Sequence, residues 1–320
     1  MTSRSDDRKT RITILVALAA NLLIAAAKAV GGVIASSPAL LSEAAHSVAD
    51  SINEVFLLAA LRRSRRPADR RHPFGYGKER YFWSLLAAVG IFVLGAGFSF
   101  YQGVAALSSP AARETGTGYV AGLVVLGLAL LAEGTSLVRA LWQVRQTPGR
   151  SLAQDPALRT VVAEDGTAVV GVLIAMTGMI LHMTTGHVGW EAAASLCIGL
   201  LLVYVAYRLG SDARAQLIGE AVDPELRDGI RELLDEQPEI DRVASLLTMR
   251  LGLDSTLVAA RIDLRPGLDS ERVELVSERI KRRIGRTWPE ADQVFLDVTE
   301  APTDMDGEGE LVPRPEGTRQ

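Results

Sequence analysis

Six blocks of mostly apolar residues fill the first two-thirds of the chain: 12–35, 38–61, 82–107, 118–142, 158–182 and 188–209. A helix crossing the hydrocarbon core of a bilayer needs about 20 such residues, and each block reaches that length. Residues 210–320 read instead as ordinary charged soluble sequence. A chain of 320 residues that is 48% hydrophobic yet 22% charged, with the two kinds so segregated, is no simple soluble globular protein, disordered chain or disulfide scaffold. The single cysteine, Cys197, lies in an apolar block without a partner, which excludes thiol redox chemistry and a cysteine-based zinc site. A formal net charge of −4 gives nucleic-acid binding no electrostatic support. The first partner implied is a lipid bilayer.

The first block follows Arg4, Arg8, Lys9 and Arg11, as a signal peptide would, but its apolar run is too long for one. A second span follows after only Ser36-Ser37-Pro38. The cations then set an expected orientation. Arg62, Arg63, Arg65, Arg66, Arg70, Arg71, Lys78 and Arg80 fall between spans 2 and 3, and Arg145, Arg150 and Arg159 between spans 4 and 5. The alternate loops hold only Arg113. Both termini are therefore expected in the cytoplasm, with residues 1–11 a short cytoplasmic lead and 12–209 a six-helix transport domain.

In the soluble part, Asp223-Pro224 is a cap and first-turn pair for a helix reaching about Asp235. Leu246 to Leu251 reads as a strand, and Thr256 to Leu264 as its partner, with Val258, Ala260, Ile262 and Leu264 on one face. Val273, Val276, Ile280 and Ile284 have helical spacing, and Val294, Leu296 and Val298 alternate as a last strand. The expected fold is an α-helical membrane protein with six transmembrane helices followed by an α+β (αββαβ, ferredoxin-like) domain over 210–300. Residues 301–320, rich in Pro and Gly, read as a disordered tail.

Ionisable residues inside a span are costly and mark function by default. Span 2 carries Glu43, His46, Asp50 and Glu54 at spacings of three, four and four, which place them on one helical stripe. His46 and Asp50 are one turn apart, so an imidazole nitrogen and a carboxylate can approach one point, a pairing suited to a divalent cation. Both must be deprotonated to ligate, so metal binding there is coupled to protons. Span 5 contributes the adjacent Glu164 and Asp165. The two spans together offer one nitrogen and up to three carboxylates, enough for tetrahedral zinc. Glu43 and Glu54, nearer the span ends, are expected to face water or headgroups. Lys28 and Glu133 are expected to pair with neighbours, and His182 and His187 to be solvated at the outer edge of span 5.

Two look-alikes fail. Gly75-Tyr76-Gly77 sits in an arginine-rich loop with no preceding Thr-Val or pore helix, so it is not a potassium filter. Gly77-Lys78 is followed by Glu79 with no glycine five positions earlier, so it is not a phosphate loop.

The six spans, the segment Leu41-Ser42-Glu43-Ala44-Ala45-His46-Ser47-Val48-Ala49-Asp50 and the loop Arg71-His72-Pro73-Phe74-Gly75-Tyr76-Gly77-Lys78-Glu79-Arg80 resemble the cation diffusion facilitator family over residues 10 to about 300. The resemblance implies export of a divalent metal, usually zinc, from the cytoplasm in exchange for protons, by a homodimer with paired soluble domains. It carries the span-2 ligand pair onto His46 and Asp50. In span 5 the family commonly has a histidine and an aspartate four apart; aligning the aspartate on Asp165 puts Val161 at the histidine position, and valine cannot ligate. Glu164 is the available substitute, and the Glu-Asp pair resembles the branch that includes an animal mitochondrial zinc transporter. The extra oxygen ligand also suits Mn(II) or Fe(II). A second family site in the loop between spans 2 and 3 falls on Asp69 and His72, but the later histidine position is Tyr76, so that site is weak or absent. No histidine follows His187, so the family's soluble-domain sites cannot form in their usual way, and that domain reads as a dimerisation element.

The sequence-level reading is therefore a zinc/proton antiporter of a bacterial inner membrane, with no prosthetic group. Its substrate is Zn2+, or alternatively Mn2+, Fe2+ or Co2+, and H+ is the coupling ion. The bacterial membrane rests on an arginine excess over four lysines in an Ala-, Gly- and Val-rich chain. A non-transporting membrane scaffold is the alternative from another class. No nucleophile–base constellation or cofactor fingerprint supports an enzyme.

Overall fold

The computed structural model describes residues 4–108, 116–146, 156–252 and 255–299. The expected disordered tail lies outside them.

The chain divides into two compact units. The first is all helix: α1 (Arg4–Ile34), α2 (Pro38–Ser64), α3 (Glu79–Gly90), α4 (Gly97–Ser108), α5 (Gly116–Gln146), α6 (Pro156–Thr185) and α7 (Gly189–Ile218). A six-residue π-helical stretch, Ile91–Ala96, joins α3 to α4, making one continuous rod, Glu79–Ser108. The six apolar blocks thus become six rods. Among the described residues four of them are long and apolar enough to cross a membrane, namely Glu79–Ser108, Gly118–Arg139, Glu164–Thr185 and Gly189–Ile218, and Leu18–Ile34 adds a shorter apolar stretch. α2 falls short of that apolarity because its charged stripe lies within the helix.

The membrane unit buries a core of Leu40, Leu126, Val172, Met179, Ile198 and Leu202. Leu23, Leu128, Leu131, Leu200 and Tyr207 point outward. Such an apolar exterior is ruinous in water and suits lipid. α2 begins sharply because Ser37 caps it, its Oγ accepting the Leu40 amide at 3.3 Å, with Pro38 in the first turn. The preceding turn is made by Ser36, whose φ of 46° is unusual for a residue with a side chain.

The second unit contains α8 (Pro224–Asp235), β1 (Ile240–Arg250), β2 (Thr256–Leu264), α9 (Ser270–Thr287) and β3 (Gln293–Val298). The αββαβ order is as the periodicity requires. The sheet order is β1-β2-β3, with β1 antiparallel and β3 parallel to β2. Ile230 and Leu234 from α8 and Val276, Ile280 and Ile284 from α9 pack on Val258, Ala260 and Ile262 of β2. On the other sheet face Leu247, Ala259 and Phe295 align across the three strands. Two details depart from the sequence reading. β1 starts at Ile240, not Leu246, with register irregularities between Ile240 and Arg242 and between Val243 and Ser245. Asp223 occupies the cap position of α8 but makes no cap bond; its carboxylate takes Arg250 instead.

Segment Arg66–Lys78 belongs with this second unit. Its Phe74 ring lies edge-on to Phe295 at 6.4 Å. Gly77 sits so close to the Leu251 carbonyl and the Gly252 backbone that a Cβ there has no room.

Candidate metal site in the membrane unit

The stripe on α2 is real, but its members have different surroundings. His46 is buried, only 4% exposed, and both its ring nitrogens lack a hydrogen-bond partner. Its Nε2 stands 3.7 Å from Asp50 Oδ2, too far for a hydrogen bond and near enough to share a cation. Buried polar atoms are nearly always satisfied, because leaving one unpaired costs about 1–3 kcal/mol. An imidazole with two such nitrogens one turn from a carboxylate is a donor set that a divalent cation can use.

α6 packs against α2 and brings Glu164 and Asp165. Glu164 is bound to α2 itself, its Oε1 accepting Asn53 Nδ2 at 2.8 Å. Asp165 lies beside Ser136 of α5, and its Oδ2 is buried without a partner. Asp50 and Asp165 are close enough to act on one another electrostatically, and Glu164 is acted on by both. The structure thus brings His46 and Asp50 together and sets the two α6 carboxylates nearby. Among the described residues no three His, Cys, Asp or Glu side chains converge on one metal position. Val161 lies on α6, three residues before Glu164.

Lys28 is fully buried on α1 and donates to Glu43 Oε2 at 3.0 Å, Ser47 Oγ at 3.0 Å and Glu133 Oε1 at 2.9 Å. Lys28 and Glu133 are paired as expected. Glu43 is not facing water: it is fully buried, because the α1 ammonium reaches it where proximity to a span end gave no sign of a partner. Glu54 likewise turns inward, its Oε1 accepting Asn21 Nδ2 at 2.8 Å. His182 is a second correction. Its Nδ1 is 2.6 Å from Glu191 Oε1 and 2.8 Å from the Tyr119 hydroxyl, while the Ser37 hydroxyl donates to the other Glu191 oxygen. This fully buried Glu191 ties the ends of α2, α5, α6 and α7 together. His187 is exposed.

In the second unit, Asp69 Oδ1 accepts the Arg71 and His72 amides, both at 2.8 Å, and Oδ2 accepts the Tyr76 hydroxyl at 2.7 Å. The Tyr76 bond, followed by the His72 amide, holds this exposed carboxyl below its ordinary range, and the same bond raises the Tyr76 hydroxyl. His72 Nδ1 lies 3.5 Å from Asp69 Oδ1, and its ring rests on Tyr76 at 4.2 Å. Asp69 and His72 are adjacent, but hydrogen bonds within the turn already occupy the carboxylate.

Against known protein families, residues 14–218 match the Cation efflux transmembrane domain. The chain belongs to the cation efflux family. This is a family of transporters, not of enzymes. Over 284 residues, 84% of the chain and 50% of the relative, it is 30% identical to the mitochondrial proton-coupled zinc antiporter SLC30A9 of Xenopus laevis. It is 31% identical to metal tolerance protein C4 of Arabidopsis thaliana, covering 88% of this chain and 61% of that one. The manganese efflux system protein MneP of Bacillus subtilis is 25% identical, covering 90% and 95%. The chain therefore spans about half the length of SLC30A9, and nearly all of MneP. This cation efflux chain is a multi-pass membrane protein with a three-stranded α/β region after the helices.

Asn53, Asn21 and Ser136, the partners of the acidic groups, carry no chemistry of their own, and sequence reasoning assigned them no role. The one available signal for Asn53 was its place beside the acidic stripe.

Proposed function

We propose that this cation efflux protein exports a divalent cation, zinc first, from the cytoplasm in exchange for protons. The observation that carries the reading is the buried His46 imidazole, with both nitrogens unpartnered, 3.7 Å from Asp50 and opposite the Glu164–Asp165 pair of α6. Facing the cytoplasm, deprotonated His46 and Asp50 capture the metal, joined by Asp165 and by Glu164 once it leaves Asn53. Facing outward at lower pH, protons compete for the same atoms and release it. Protonated ligands then return, which spares the bilayer an uncompensated set of carboxylates. The name of the SLC30A9 relative, a proton-coupled zinc antiporter, supports this choice of cargo and coupling ion.

Manganese is the second reading. Three carboxylates against one imidazole make an oxygen-rich set that suits a harder ion, and MneP is a manganese efflux protein. The positive loops support cytoplasmic termini, and the composition supports a bacterial inner membrane. Residues 210–300 are proposed as a homodimerisation domain. The apolar row Leu247, Ala259 and Phe295 on one face of the sheet supports it, with Leu247 and Phe295 both exposed. The loop pair Asp69 and His72 is proposed to hold the turn, with at most weak metal binding.

Reconstituted protein with an imposed pH gradient tests the reading. Zinc flux that follows the gradient and disappears in Asp50→Ala is the expected result. Manganese flux alone moves the cargo, and no flux of either metal by folded protein overturns the proposal.

A further inference from the structure

Lys28 is the one fully buried cation among the described residues of the membrane unit. An ammonium has three donors, and here all three are used, by Glu43, Ser47 and Glu133. Yet the two carboxylates it binds are only half satisfied, since Glu43 Oε1 and Glu133 Oε2 are buried with no hydrogen-bond partner. Glu43 lies three residues before His46 on the same stripe, so its carboxylate is one turn from the proposed cargo site. Its free Oε1 points at Gly171 of α6, where a Cβ would collide with it. Two carboxylates, each with one free oxygen, thus share one tethered cation a turn along the stripe from His46.

We infer that Lys28 is a specificity-determining residue of transport: its ammonium fills the space between Glu43 and Glu133, bars the cargo from that pair, and confines it to His46 and Asp50. The inference rests on the transport reading of His46 and Asp50. Like charge repels a metal from the Glu43 level, and each hydrogen bond to Lys28 takes an oxygen that would otherwise ligate. Without the ammonium, cargo would gain a second resting place beside the first, bind more tightly and leave more slowly.

The test uses the full chain in proteoliposomes with zinc and a pH gradient. Lys28→Met alone adds an uncompensated buried charge and is open to misfolding. The informative pair is Lys28→Met/Glu133→Gln, which keeps the cluster's formal charge and frees the Glu43 carboxylate, against the same protein with Glu43→Gln added. The two proteins differ only in one carboxylate. The double variant should show a lower KM for zinc with kcat reduced alongside, and Glu43→Gln should reverse both. Loss of kcat with KM equal in the two proteins would mean Lys28 is merely structural, and the inference fails. An unchanged KM and kcat in the double variant overturns it as well. Asp50→Ala separates the two levels. Normal flux there sinks the transport reading, whereas a dead Asp50→Ala with identical double and triple variants sinks only the role of Lys28.

Discussion

Glu191 joins helix ends away from the proposed transport site, and its removal makes a quantitative prediction. It is fully buried at the start of α7, accepts the Ser37 hydroxyl with one oxygen and pairs with His182 Nδ1 at 2.6 Å through the other. Glu191→Ala breaks both contacts and strands two partners. Stranding a buried hydrogen-bonding group costs about 1–3 kcal/mol, and two are stranded here. His182 is 11% exposed and can recruit water, so the loss should be about 3 kcal/mol in all. For a unit of this size about 2–4 °C is lost per kcal/mol, so the Tm should fall by about 6–12 °C. Glu191→Gln keeps an acceptor for the Ser37 hydroxyl and should cost about 1 kcal/mol, or about 2–4 °C. Thermal melting of the detergent-purified chain, followed by size-exclusion of the folded fraction, reads both. A Glu191→Ala protein that melts within about 1 °C of the parent would refute the claim that this residue ties the four helix ends together.

Three further predictions follow from the two units. Asp165→Ala should abolish zinc flux while Glu164→Gln only weakens it, because Glu164 is engaged by Asn53; wild-type flux in Asp165→Ala would remove that residue from the site. In Tyr76→Phe the Asp69 carboxyl should titrate closer to its ordinary value, read from its carbon-13 resonance. Since the folded value is depressed, the stability it lends is present above the ordinary carboxylate range and is lost as pH falls through the depressed value; an unmoved titration would mean Tyr76 is not its main partner. If residues 210–300 pair as proposed, the parent chain should sediment as a dimer and Leu247→Asp as a monomer, because a charge enters the apolar row of the sheet face; a dimer unchanged by Leu247→Asp would place the interface elsewhere, and a monomeric parent would overturn the pairing.

How much of this was legible depends on whether the signal is local. The helical rods and the αββαβ order follow from hydropathy length and from period, both readable within a few turns. The start of β1 was not, since Asp241 and Arg242 break the alternation and the strand is irregular there. The one-turn relation of His46 and Asp50 is a property of a single helix, so spacing alone located it. Burial of Glu43 and His182 is not such a property. It depends on Lys28, 15 residues earlier on another helix, and on Glu191 and Tyr119, which arrive from α7 and α5. Nearness to a span end suggested water, and tertiary packing supplied partners. The same holds for Glu164, whose partner Asn53 is 111 residues away, and for the π-helical stretch Ile91–Ala96, which leaves no periodic mark in an all-apolar run.

The central claim is that metal and protons compete for the same atoms of His46 and Asp50. Calorimetric titration of zinc into the purified protein, repeated in buffers of different ionisation enthalpy, measures the protons released per metal bound. The account requires proton release in the parent chain and its loss, together with zinc affinity, in His46→Ala and Asp50→Ala. Zinc binding that releases no protons, or that survives in both variants, would contradict it.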